Sequence, residues 1–377
     1  MRVLIASDKY KGSLSAAQVA GIIAGELGKA LPAGVEFDLC PIADGGEGTT
    51  DAMVTALGGE KRQVKTVDAQ GRVLLASYGW CDGQAVMEMS AASGLALVND
   101  IPLQPETAST LGTGELLRDA LQTGAESVVI GIGGSATNDG GLGLAAALGY
   151  RFLDDAGQEV PPVLREILRA SHVDVSQALV RQDNPCPVLV ACDVDNPLLG
   201  PKGATRIYGP QKGVKDFGWF EERLAHLANL AARDLGMDPR EIPGAGAAGG
   251  LGWGLMVFAG ARLTNGFDLV AARIGLEERV ARADLVITGE GRLDGQTLHG
   301  KGPVGIAQMA CRMGKKVAAF AGSVEDSAEL RSHFDLVRAT KPAALPLPEA
   351  IARAGELLAL AVRSSAGEIA GLLGAGL

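Results

Sequence analysis

The chain is poor in aromatic residues, which fill 4% of its 377 positions, and it has only four histidines and five cysteines. His172, His226, His299 and His333 lie far apart and form no metal-ligand spacing; His299 alone falls in a dense polar cluster. Cys40, Cys81, Cys186, Cys192 and Cys311 are an odd number without a C-x-x-C pair. That argues against a disulfide framework or a zinc site and reads as reduced core thiols of a cytoplasmic protein. A basic surplus is missing as well: 34 Lys and Arg against 44 Asp and Glu leave a formal charge of −10. A nucleic-acid partner, which needs a basic stripe to neutralise phosphates, is therefore not expected. No G-x-x-x-x-G-K-[ST] loop occurs, which excludes a P-loop phosphate site. No signal-peptide apolar region follows Met1. Residues 244–261 are uncharged over 18 positions, but six of the first eleven are glycine, which suits a loop entering a buried helix rather than a membrane span.

What the chain has in excess is glycine, 53 residues, roughly twice the usual ~7%. The glycines cluster after short apolar runs, where backbone turns sharply or approaches a ligand closely. The runs at 2–6, 127–132, 188–192, 284–288 and 317–321, and the alternating segment 35–39, each lead into a small-residue loop. Ser15-Ala16-Ala17-Gln18 is a capping box that opens a helix reaching about Ala30. Strands alternating with helices define an α/β protein with largely parallel sheets, whose ligands bind beyond the carboxyl ends of strands. Residues 63–73 and 84–89 read as an antiparallel excursion, and a parallel unit resumes at Asp284. The expected architecture is two α/β domains. An outer one, Rossmann- or flavodoxin-like, comprises 1–66 plus 283–377; a mixed-sheet domain, 67–282, is inserted into it.

Six loops are candidates for chemistry. Residues 8–13, Asp8-Lys9-Tyr10-Lys11-Gly12-Ser13, join the first strand to a helix N-terminus, where free N–H groups and two lysines suit an anion; an ordinary turn with solvated lysines is the plain alternative. Asp44 and Glu47 stand among three glycines, and carboxylates on tight exposed backbone suit Mg²⁺, which takes one or two acidic ligands and keeps several waters. An Asx-turn with a helix first-turn Glu also explains them. Residues 131–141 follow an apolar strand, and Gly133, Gly134, Ser135, Thr137 and Asn138 look like a phosphate cradle. The same stretch fits G-x-G-x-x-A and residues 244–249 fit G-x-G-x-x-G, with Asp154 or Asp155 near the ribose-binding spacing, so a dinucleotide is an open alternative. Asp193 ends a strand as a general base, a metal ligand or a turn cap. Residues 289–303, with Glu290 and Asp294, form the densest polar cluster. Lys212, in Gly-Pro-Gln-Lys-Gly, is an anion contact or part of a routine turn.

Taken in order, D-K-Y-K-G-S (8–13), P-I-A-D-G-G-E-G-T (41–49), G-G-S-A-T-N-D-G-G (133–141), G-P-Q-K-G (209–213), G-A-G-A-A-G-G-L-G (244–252) and D-L-V-I-T-G-E-G-R-L-D-G-Q-T-L-H-G-K-G-P (284–303) resemble the two-domain bacterial glycerate kinase family, the type without a P-loop. Each is weak alone; the ordered set spans essentially the whole chain. Tyr10 departs from the more usual Phe. The resemblance implies ATP-dependent phosphorylation of D-glycerate in a cleft between two domains, by a monomer or homodimer, with 2-phosphoglycerate as product and the 3-phosphate as the alternative. General phosphoryl-transfer physics, positioning plus charge neutralisation, then suggests these roles. Asp8, Lys9, Lys11, Ser13 and Asp44 meet the substrate. Gly133, Gly134, Ser135, Thr137, Asn138 and Lys212 meet ATP. Asp44, Glu47, Glu290 and Asp294 meet Mg²⁺. Asp193 takes the hydroxyl proton, with Lys11 and Asp294 beside it in catalysis. An NAD-dependent hydroxy-acid dehydrogenase and a nucleotide-sensing module are the rival readings.

Overall fold

The computed structural model describes residues 1–179, 186–295, 297–299 and 302–374. Its strands, in chain order, are β1 (Arg2–Ser7), β2 (Glu36–Leu39), β3 (Glu60–Val67), β4 (Val73–Cys81), β5 (Gln84–Glu88), β6 (Ser127–Gly131), β7 (Arg151–Leu153), β8 (His172–Asp174), β9 (Val188–Ala191), β10 (Arg262–Thr264), β11 (Leu285–Leu293), β12 (Lys316–Val324) and β13 (Leu336–Ala339). The chain divides into two compact units. The first holds Met1–Asp44, Asp51–Gly58 and Phe267–Leu377; the second holds Gly45–Thr50 and Gly59–Gly266.

The first unit is built on a five-stranded parallel sheet in the order β13-β12-β11-β1-β2. The apolar runs at 2–6 and 284–288 have no alternation because these strands are covered on both faces, as parallel strands are. Val3, Leu4, Ile5, Leu285, Val286 and Ile287 are fully buried. The helix Ala16–Ala30 begins on the capping box: Gln18 N–H donates to Ser15 Oγ at 3.2 Å and Ser15 N–H to Gln18 Oε1 at 2.9 Å. Its buried Val19, Ile23 and Leu27 share one core with Ile5, Ile287, Phe320, Leu358 and Ile369. From β1 the chain first moves outward to β2, then re-enters at β11 on the other side and moves out through β12 to β13. The strand order therefore reverses between β1 and β11, the position at which open α/β sheets bind ligands.

The second unit has a six-stranded mixed sheet, β10-β9-β6-β5-β4-β3, parallel from β10 to β5 and antiparallel beyond, and a small β7–β8 ribbon. Phe220, Leu224, Trp253 and Phe258 fill its core. Nearly every residue of the helix Ala247–Ala259 is buried, and no helix among the described residues is long and apolar enough to cross a membrane.

The expected boundary at 66 falls inside β3, whose antiparallel pairing with β4 carries residues 59–66 into the second unit. The other boundary falls at 266 rather than 282. Arg279, on the helix Leu276–Arg282, donates to Asp38 Oδ1 and to the Ala56 carbonyl, both at 2.6 Å, which ties that segment to the first unit. The reading of all five cysteines as core thiols is also corrected. Cys40, Cys81 and Cys186 are buried, Cys192 is half-buried and Cys311 is exposed.

Candidate active site

In the first unit the reversal between β1 and β11 places Asp8, just past the end of β1, next to the stretch of β11 that carries Glu290. The Asp8 N–H donates to the Gly289 carbonyl at 2.8 Å, continuing the sheet by one residue. Gly289 has no room for a side chain, since a Cβ there would lie 1.7 Å from the Phe320 carbonyl oxygen on β12. Burial pushes the Asp8 carboxyl up to about 6, helped by Asp44 and opposed by Lys9. Lys9 Nζ stands 3.6 Å from Asp44 Oδ1. Burial likewise raises Glu290 to about 7. The bond it accepts from Thr297 Oγ1 at 2.7 Å holds it down, while Asp8, Asp294 and Asp44 add to the rise. Thr297 Oγ1 in turn accepts the Asp294 N–H at 3.2 Å, so one hydroxyl orients two parts of the acidic loop. Arg292 Nε lies 3.0 Å from Asp294 Oδ2. The Tyr10 phenol is buried, its hydroxyl has no hydrogen-bond partner among the described residues, and burial, then Glu290, raises its pKa.

Lys11 is exposed, as a substrate contact has to be. Ser13 is not presented in that way: its hydroxyl donates to the Tyr10 carbonyl at 3.0 Å and closes the turn that ends at Leu14. Among the described residues no group of three or more His, Cys, Asp or Glu stands in metal-holding geometry. The four-carboxylate set expected for Mg²⁺ is not assembled in one unit either, because Asp44, Glu290 and Asp294 belong to the first and Glu47 to the second. The donor chemistry of the first unit still fits a divalent cation. Glu290 is raised partly by Asp8, Asp294 and Asp44, a gathering of carboxylates of the kind a cation relieves. Mg²⁺ needs only one or two carboxylates when phosphates and water complete its shell. Gln296, Gly300 and Lys301 of the same motif, and the His299 side chain, lie outside the described residues.

In the second unit the glycine-rich loop after β6 divides into an exposed tip and a buried base. Gly133 and Gly134 are exposed and Ser135 is nearly covered, but Thr137, Asn138 and Asp139 are buried. Asp139 accepts four hydrogen bonds, from Thr110 N–H and Oγ1 at 2.8 Å each, Gly141 N–H at 3.1 Å and Gly143 N–H at 3.2 Å. Asn138 Nδ2 donates to Thr205 Oγ1 at 3.0 Å. Lys212 is 1% exposed, and its Nζ donates to the Thr137 carbonyl at 2.6 Å. Thr137, Asn138 and Lys212, expected as nucleotide contacts, therefore brace the loop from behind. The second glycine fingerprint has the same purpose: a Cβ on Gly249 would lie 2.0 Å from the Thr137 carbonyl oxygen, so these glycines allow backbone to close on backbone. Asp193 is exposed at the end of β9, and its Oδ1 accepts from Asn265 Nδ2 at 2.8 Å and from Gly266 N–H at 3.1 Å.

Burial lowers Lys212 to about 7, against the pull of Asp139. A lysine depressed from 10.5 carries fewer protons folded than unfolded between about pH 7 and 10.5, so its contribution makes stability rise with pH across that window. Urea unfolding at pH 7 and pH 9 is expected to show the wild type gaining up to about 1.4 kcal/mol per pH unit relative to Lys212→Met. Parallel pH profiles for the two proteins would show that Lys212 stays charged when folded.

The element missed at the sequence level is Glu88. It ends β5, accepts the Gly48 and Thr50 N–H groups, and carries no motif signal beyond being an acid at a strand's carboxyl end.

Carboxylates beyond the parallel strands of the first unit and a glycine-rich loop beyond β6 of the second are the features of an α/β enzyme that binds anionic ligands. A family model described as Glycerate kinase family matches residues 3–370, and the chain belongs to that family. It is 43% identical over 375 residues to a glycerate kinase of Bacillus subtilis (strain 168), covering 98% of each chain. It is also 43% identical over 330 residues to the glycerate 2-kinase of Escherichia coli (strain K12), covering 86% of each. A crystal structure proposed as glycerate kinase 2 of Salmonella typhimurium LT2 superposes with a TM-score of 0.88 at 40% identity, covering 98% of each chain. The chain is thus an enzyme, a kinase with glycerate as acceptor, and the dehydrogenase reading falls.

Proposed function

We propose that the enzyme transfers the γ-phosphoryl group of ATP to the 2-hydroxyl of D-glycerate, forming 2-phosphoglycerate in the cytoplasm. The observation that carries this reading is the pairing of Asp8 with Glu290 at the strand-order reversal of the first unit, beside the exposed Lys11. Lys11, with Lys9, holds the glycerate carboxylate by charge-assisted contact. Glu290 accepts the hydroxyl proton. It is half-buried, oriented by Thr297, and raised into the range at which a general base works near neutral pH. Asp193 is the less suitable acceptor because it is exposed and one of its oxygens already takes two donors. Gly133, Gly134 and Ser135 offer backbone to the nucleotide phosphates. Asp44 and Asp294 would hold Mg²⁺, which neutralises phosphate charge when bound. Phosphoryl transfer asks little covalent work of a protein beyond such positioning and neutralisation.

The relative in Escherichia coli is named a 2-kinase, which supports the 2-hydroxyl. One fixed pose of the carboxylate also favours a single hydroxyl, because attack requires the reacting atoms about 3–3.5 Å apart. ADP formation is expected to require both D-glycerate and Mg²⁺, to stop with EDTA and to return when Mg²⁺ is restored. The product is expected to feed enolase without phosphoglycerate mutase. A signal that appears only after mutase is added would mean the 3-phosphate and overturn the regiochemical assignment.

A further inference from the structure

The segment Gly45–Thr50 has three glycines and one exposed carboxylate, Glu47, so its own sequence gives it little reason to keep one conformation. Glu88 supplies the restraint. Its Oε2 accepts the Gly48 N–H at 3.1 Å, its Oε1 accepts the Thr50 N–H at 2.8 Å, and Ser90 Oγ lies 3.4 Å from Oε2. In the β5–β6 register Glu88 stands opposite Gly131. A Cβ on Gly131 would lie 2.4 Å from the Gly45 carbonyl oxygen, and a Cβ on Gly133 would lie 3.3 Å from Gly46 Cα. The Gly45–Thr50 segment is therefore pressed, backbone on backbone, against the end of β6 and the start of the loop that follows it. Packing of this kind fixes where the segment lies but gives it no directional bond; the carboxylate of Glu88 provides two.

We propose that Glu88 is a positioning residue of the active site. It holds the Gly48 and Thr50 amides and so sets Glu47 and the Gly45–Gly46 backbone beside the exposed tip at Gly133 and Gly134. The proposal rests on the reading of that tip as the nucleotide-phosphate site. The chemistry calls for a carboxylate. Each oxygen accepts a different backbone N–H, whereas an amide has one acceptor oxygen and would turn an NH₂ group toward the second donor. Charge-assisted bonds of this type are also about twice as strong as neutral ones.

The test combines amide hydrogen exchange with titration of Mg-ATP binding on the full chain, for the wild type, Glu88→Gln and Glu88→Asp. In Glu88→Gln the Gly48 and Thr50 amides are expected to exchange roughly ten- to a hundredfold faster, with the amides of β5 and β6 unchanged. The Kd for Mg-ATP is expected to rise on the order of tenfold, and the KM for glycerate to stay within twofold. Glu88→Asp keeps the charge but is one methylene shorter. It is expected to fall between the other two and to decide the matter should the glutamine variant fail to fold. Unchanged exchange at residues 48 and 50 would overturn the clamp. Faster exchange throughout β5 and β6, or equal losses for ATP and glycerate, would make Glu88 a fold residue only and equally sink the proposal. A wild type that binds Mg-ATP but consumes none with glycerate would refute the kinase mechanism and leave the exchange and Kd results to judge Glu88.

Discussion

Glu290→Gln is expected to lower kcat for glycerate phosphorylation by about 10²–10⁴-fold, the range over which a positioned proton acceptor contributes. The substitution preserves size and can keep the hydrogen bond from Thr297 Oγ1, so the first unit should retain its fold. It removes the group that can take the proton from the attacking hydroxyl. Binding of glycerate should change little, because the loss is confined to an interaction made in the transition state, and kcat and kcat/KM should fall together. The control is Asp193→Asn, expected to cost less than tenfold: Asp193 is exposed and its Oδ1 is occupied by Asn265 and Gly266. If the two results are exchanged, the proton-accepting role belongs to Asp193 and Glu290 serves the electrostatics of the site.

Much of this arrangement could be read from residue order, and the limits of that reading have physical causes. Uninterrupted apolar runs ending in glycine and acid marked β1, β6, β9, β11 and β12, because parallel strands buried on both faces leave no polar alternation. The loops that follow them could be located for the same reason. What a side chain does inside a loop could not be read, since Thr137, Asn138 and Lys212 are the same residue types whether they face a ligand or the protein interior. The burial of Lys212 depends on backbone closing at Gly249, a contact made across distant sequence. The boundary near residue 60 was misplaced because β3 carries Glu60, Lys61, Arg62, Gln63 and Lys65, a polar edge-strand composition that masks its pairing with β4. Glu88 went unseen because its partners are backbone amides about forty residues away.

The braced base of the glycine-rich loop leads to the second large effect. Asp139→Ala is expected to destabilise the second unit by about 3–5 kcal/mol, the usual cost of breaking a buried charged network by removing one partner. The aspartate is fully buried, and burial pushes its pKa up against the four bonds it accepts. Removing it leaves Thr110 N–H, Gly141 N–H and Gly143 N–H without that acceptor, and buried donors left unmatched cost about 1–3 kcal/mol each, not additively. Thr110 Oγ1 also loses its acceptor, while it still receives the Leu144 N–H at 3.0 Å, so the helix Leu142–Ala147 feels the loss. Asparagine should rescue in part. Its single oxygen can replace Oδ2, which serves three of the four donors, but its NH₂ group then faces the Gly141 N–H that Oδ1 had accepted. Urea unfolding should therefore rank the proteins wild type, Asp139→Asn, Asp139→Ala in falling stability, with affinity for Mg-ATP falling in the same order as the tip at Gly133 and Gly134 loses its support. An alanine variant within 1 kcal/mol of the wild type would mean that water satisfies those donors, and that the loop does not depend on Asp139 for its shape.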